Sequence, residues 1–108
     1  MKLNYKEVYK DILDGQVTPD KLSEYLIYLA GEYSYWTDQY TELLVEKPPI
    51  WNELRRTAKS DTSCERTYMA TERGVKETKL KYRLKALEKL MSAIKSSLRV
   101  QEVDRYNN

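Results

Sequence analysis

The chain contains no histidine and no phenylalanine, a single cysteine (Cys64), three glycines and three prolines in 108 residues. Each scarcity excludes something. Without imidazole there is no Ser-His-Asp or Cys-His catalysis, and one thiol cannot build a zinc cluster. A lone cysteine also forbids an internal disulfide, which suits a reducing compartment. The start, Met1-Lys2-Leu3-Asn4-Tyr5-Lys6, places a charge every few residues where a secretory leader has an apolar core. The longest apolar run, Tyr25 to Ala30, is far short of the roughly 20 residues of a membrane span. The expected setting is therefore the cytoplasm, with no membrane partner.

The glycines, Gly15, Gly31 and Gly74, have neither Walker nor dinucleotide spacing, so no phosphate loop is present. Asp38, Glu42 and Glu46 recur four apart on one helix face. A divalent ion needs ligands converging from more than one element, so this stripe reads as a solvated face or as a partner for basic side chains. Cys64 has neither a base nor a resolving thiol beside it and reads as a structural residue. No catalytic residue, metal or cofactor is expected, and the chain reads as a non-enzyme.

What is abundant is charge and tyrosine, ten of the latter. The net charge of +2 conceals a division: residues 1–54 hold five lysines against ten acids, and residues 55–108 hold fourteen bases against seven acids. Such asymmetry fits either a polyanion-binding half or two halves that attract each other.

The pattern is all-α, as no run of alternating β-branched residues appears. A short helix is expected over 4–14, closed by Gly15. Thr18-Pro19-Asp20 supplies a capping hydroxyl, a proline where its missing N–H costs nothing, and an acid at the positive end of the dipole, opening a long acidic, aromatic helix over 19–46. Leu22, Leu26, Leu29, Tyr33, Trp36, Tyr40 and Leu43 alternate in steps of four and three, a heptad seam. Pro48 and Pro49 should stop that helix. A short helix over 50–58 follows, and then a long basic helix over 64–105 with a second seam, Leu80, Leu84, Leu87, Met91, Ile94 and Leu98. Gly74 marks a place where this helix could kink or begin anew.

Two rods of roughly 40 and 60 Å exceed a compact sphere of this mass, whose radius of gyration is near ~13 Å. The expected architecture is one elongated, coiled-coil-like helical hairpin that oligomerises over a second apolar face including Tyr25, Tyr28, Leu44, Leu90, Val100 and Val103. A monomeric three-helix bundle is the alternative.

Bases cluster from Arg55, Arg56 and Lys59 through Arg66 to Lys76 and along the final helix, and neutralising phosphates with such side chains gives sequence-independent affinity. Aromatic rings crowd residues 25–40, and rings are what single-stranded bases stack on. Tyr33, Trp36 and Tyr40 lie on the seam and read as core. Tyr28 and Tyr35 lie off it. Trp51, four residues before Arg55, is the stacking candidate closest to the basic cluster.

The stretch Glu65-Arg66-Thr67-Tyr68-Met69-Ala70-Thr71-Glu72, the segment from Leu80 to Leu98 with Ser92-Ala93-Ile94-Lys95-Ser96, and the basic end at Arg99 and Arg105, preceded by Tyr33-Ser34-Tyr35-Trp36, resemble the phage recombination mediators of the UvsY type. The resemblance spans roughly residues 25 to 105. It implies an all-helical homo-oligomer in a bacterial host that binds single-stranded DNA and helps a RecA-like recombinase displace a single-strand-binding protein. The family's basic motif falls on Leu54, Arg55, Arg56 and Lys59, where Thr57-Ala58 alters its order. The family's oligomerisation element falls on Leu80 to Val103, including Leu84, Leu87, Met91, Ile94 and Leu98. The competing expectation is a helical protein-protein interaction module, such as a phage inhibitor of a host enzyme or defence system.

Overall fold

The computed structural model describes residues 4–15 and 17–107, with side chains as far as Val103. The reading of the first three residues as leader-free and the basic side chain of Arg105 lie outside the described residues. Four helices follow one another: α1 Tyr5–Asp14, α2 Pro19–Arg55, α3 Asp61–Ala70 and α4 Glu72–Asn107. Among the described residues there is no strand, so the all-α expectation holds.

The first helix is closed at both ends by its own sequence. Asn4 Oδ1 accepts from the backbone N–H of Lys6 at 3.0 Å and of Glu7 at 3.4 Å, satisfying donors that have no intrahelical partner. Gly15, at φ 68°, takes the left-handed conformation a side chain would resist and returns its N–H to Ile12 O at 3.2 Å. At the start of α2, Thr18 Oγ1 accepts from Lys21 N at 3.2 Å, with Pro19 in the first helical position.

The expected stop at Lys47 does not occur, and neither does a separate helix over 50–58: α2 runs unbroken through Pro48 and Pro49 for 37 residues. Proline cannot donate, so the Leu44 and Val45 carbonyls lose their usual partners. Leu44, Val45 and both prolines are solvent-exposed, where water can serve those carbonyls. The opposite face keeps packing past the prolines: Leu43 is buried, and Lys47, Ile50, Trp51 and Leu54 are half-buried. Packing of that stripe overrides the local preference.

The long basic helix expected over 64–105 is two helices, and the break lies at Thr71, ahead of Gly74. Ser60 Oγ caps α3 by accepting from Ser63 N at 3.1 Å. Thr71 leaves helical geometry (φ −72°, ψ 162°) and caps α4 by accepting from Gly74 N at 3.2 Å. The chain thus caps a new helix three residues before the glycine that marked the place, and Gly74 has a packing role as well. A Cβ there would overlap the Tyr68 carbonyl oxygen and the Met69 backbone, so the glycine is what lets the end of α3 approach the first turn of α4.

The chain clusters into two compact units, residues 1–33 with 86–108, and residues 34–85. The first buries Val8 of α1, Leu22, Tyr25 and Leu29 of α2, and Leu87, Leu90 and Ile94 of α4. Tyr33 Oη donates to Glu88 Oε1 at 2.7 Å, and Gln101 Nε2 to Val17 O at 3.0 Å. The second buries Leu43 of α2, Cys64 and Tyr68 of α3, and Glu77, Leu80 and Leu84 of α4. Both seams therefore face the interior of one chain, at a gain of about 25 cal/mol per Å² of apolar surface removed from water.

Candidate nucleic-acid interface

Apart from Arg83, which stacks on Trp36, the cations of the second unit fall into two groups, those held by the protein's own carboxylates and those left to solvent. The first group lies where the end of α2 meets α3. Arg55 Nε donates to Asp61 Oδ1 at 2.7 Å and its Nη1 to Ala58 O at 2.8 Å. The Trp51 indole N–H donates to Glu65 Oε2 at 2.9 Å, while Lys47 Nζ donates to Glu65 Oε1 at 3.3 Å. Asp61 and Glu65, four apart, thus present one acidic face of α3 to the residues expected to grip phosphate and base. Trp51, Asp61, Thr62, Glu65, Arg66 and Met69 line an open cleft of about 500 Å³. Arg56 is exposed beside Glu53 at 3.4 Å.

Behind this corner lies a buried polar cluster. Lys47 Nζ also reaches Glu77 Oε2 at 3.5 Å and sits 4.6 Å from the Tyr68 ring centroid, and Tyr68 Oη donates to Glu77 Oε1 at 3.5 Å. Burial, then the Glu77 charge, push the Tyr68 phenol up from 10.0. For Lys47, burial opposes its charge, but Glu77 and Glu65 outweigh it and raise the ammonium above 10.5. Cys64, fully buried with Sγ 3.4 Å from Trp51 O, is part of the same packing.

The second group lies on exposed positions. Among the described residues, Lys59, Arg66, Lys76, Lys79, Lys81 and Lys85 form no ion pair. Of the expected nucleic-acid contacts, Trp51 and Arg66 share the α3 cleft and Arg55 borders it through Asp61. Lys76 lines a different cleft, of about 430 Å³, with Glu42, Glu46 and Arg73. There Arg73 Nη1 donates to Glu46 Oε2 at 2.7 Å. No group of residues able to hold a metal ion exists among those described.

Sequence reasoning passed over Tyr82. Its ring is 63% exposed, and Lys85 Nζ lies 5.5 Å from its centroid. Lys79 and Lys85 stand one turn to either side on the same helix face, and Lys81 adjoins it. The signal was present in Lys79-Leu80-Lys81-Tyr82-Arg83-Leu84-Lys85, a tyrosine off the seam amid lysines. By contrast Arg83 stacks on Trp36, its Cζ 4.1 Å from the ring centroid, and Tyr35 meets Trp36 edge-on at 4.8 Å. Tyr28 donates to Glu32 at 3.0 Å.

The residues expected to join subunits take part in the packing of this chain. Leu80, Leu84, Leu87 and Ile94 are buried, and Met91 and Leu98 half-buried, by this chain alone.

No family model, no curated protein and no solved structure matches the chain. Among the described residues no helix is long and apolar enough to cross a membrane.

Proposed function

We propose that the protein is a non-enzymatic, single-stranded nucleic-acid-binding protein whose primary contact is the face of α4 around Tyr82. The observation that carries this reading is an exposed aromatic ring flanked by lysines that no carboxylate neutralises. A tyrosine face stacks on any unpaired base, and ammonium groups one turn away meet the flanking phosphates. Lys59, Arg66 and Lys76 add long-range attraction, whereas Arg55 and Trp51 join only when Asp61 and Glu65 release them. The mediator role implied by the resemblance, with a recombinase and a single-strand-binding protein as partners and a coiled-coil, multi-copy body, belongs to the same reading.

Anisotropy of a labelled oligo-dT tests it. Neutralising about three phosphates gives a slope of log K against log salt near −2. Tyr82→Ala should cost about tenfold in affinity with the fold intact, within the ~1–3 kcal/mol of one stacked base. Absence of binding at ~50 mM salt, or binding indifferent to Tyr82, overturns it. A second reading, a helical protein-protein interaction module acting on a host enzyme or defence system, is favoured by the exposed Tyr9 and Leu13 of α1, which no nucleic-acid role uses.

A further inference from the structure

In the first unit, α1 and α4 leave between them a trough of about 860 Å³. One wall is Tyr5 and Tyr9, four apart on α1; the other is Ala86, Leu90 and Ala93, at steps of four and three on α4. The small side chains of Ala86 and Ala93 create the space. Beyond the trough, Leu13, one turn past Tyr9, is 71% exposed, and Val100, two turns past Ala93 with Ser97 between them, is 60% exposed. An exposed apolar trough rimmed by polar groups is the mark of an interaction surface.

The rim charge states what kind of partner fits. Lys6 and Lys89 line the trough, and Lys10 lies one turn beyond Lys6. Among the described residues none of the three forms an ion pair. Glu88, the acid at this rim, already accepts from Tyr33 Oη at 2.7 Å. The α1 acids Glu7, Asp11 and Asp14 recur at steps of four and three on the flank turned away from Tyr9 and Leu13. The lysines of α1 thus border the trough while its acids avoid it.

From this arrangement we infer that the α1/α4 trough docks an acidic amphipathic helix of another protein, its apolar stripe against Tyr9, Ala86 and Ala93 and its carboxylates against Lys6, Lys10 and Lys89. Walls spaced at four and three match the ridges of a helix laid along them. The inference rests on the interaction-module reading and uses none of the residues proposed for nucleic acid.

The test is calorimetric titration with synthetic helical peptides of about 15 residues, sharing one leucine stripe and carrying either Glu or Lys along both edges, with no nucleic acid present. The Glu-edged peptide should bind at least about fivefold tighter than the Lys-edged one, the preference should invert in Lys6→Glu/Lys89→Glu, and Leu13→Ser, at an exposed site, should weaken both. Equal affinity for the two peptides, or binding of neither, overturns the inference. So does self-association by light scattering that Tyr9→Lys abolishes, since a second copy would then fill the trough. Oligonucleotide binding by the same variants, measured separately, reports on the Tyr82 reading alone.

Discussion

Gly74→Ala sets two effects of opposite sign against each other. Gly74 lies in the first turn of α4, where helix propensity alone favours alanine by up to ~1 kcal/mol. The structure opposes this, because the new methyl would overlap the Tyr68 carbonyl and the Met69 backbone. Those are main-chain atoms at the end of a helix whose Tyr68 is fully buried, so no side chain can swing aside to make room. Overpacking of this kind costs about 1–3 kcal/mol or more, enough to outweigh the propensity gain. A net loss of about 2 kcal/mol lowers the melting temperature of a chain this size by roughly 8 °C. Gly31→Ala is the matched control: Gly31 is inside α2 with nothing near its missing Cβ, so alanine there should stabilise by ~0.5–1 kcal/mol. Thermal and urea unfolding followed by circular dichroism read both. If the two alanines raise stability alike, the close approach of α3 and α4 is wrong.

Three further outcomes follow from the same contacts. The Tyr68 phenol and the Lys47 ammonium both titrate higher in the fold than their ordinary values, so their contribution is full below pH ~10 and is lost as pH rises through the raised values; Tyr68→Phe should flatten part of that alkaline decline in urea midpoint, and an unaltered profile would contradict the burial of the phenol beside Glu77. Pro48→Ala should restore a donor to the Leu44 carbonyl and raise stability by about 1 kcal/mol or more, whereas a loss on denaturation would mean the helix does not continue there. Asp61→Ala/Glu65→Ala frees Arg55 and Trp51 and should tighten oligo-dT binding about threefold with a steeper salt slope; unchanged binding would show that this corner takes no part.

The parts of the fold legible in the sequence are those fixed within one or two turns. The Thr18-Pro19 start, the Gly15 stop and the two seams depend on neighbours three or four residues away, and periodicity reports them directly. Pro48-Pro49 misled because the rule that proline ends a helix is local, and the half-buried Trp51 and Leu54 that carry α2 onward register only once α3 and α4 are in place. Gly74 did mark the place where a helix begins anew, within three residues, but its packing requirement comes from the main chain of another helix and has no local signal. At the candidate site, the exposure of Lys59, Arg66 and Lys76 matched their pattern, but the pairing of Trp51 with a carboxylate fourteen residues on has no helical period to announce it.

That pairing separates the basic side chains of the second unit by role. Lys47, Arg55 and Arg73 each tie α2 to α3 or α4. Lys47, with its side chain 22% exposed against a Glu77 side chain at 10%, is the one whose loss would strand a buried charge; the more exposed Arg55 and Arg73 pairs are worth at most ~1 kcal/mol each. Lys79, Lys81 and Lys85 hold nothing together, so neutralising them relieves repulsion between like charges one turn apart and leaves the packing alone. Affinity and stability therefore move independently in this protein. Lys79→Gln/Lys85→Gln should weaken oligonucleotide binding at unchanged melting temperature, and Lys47→Met should lower the melting temperature while altering the salt slope little, a division that a protein using its whole positive charge as one diffuse polyanion sink would not display.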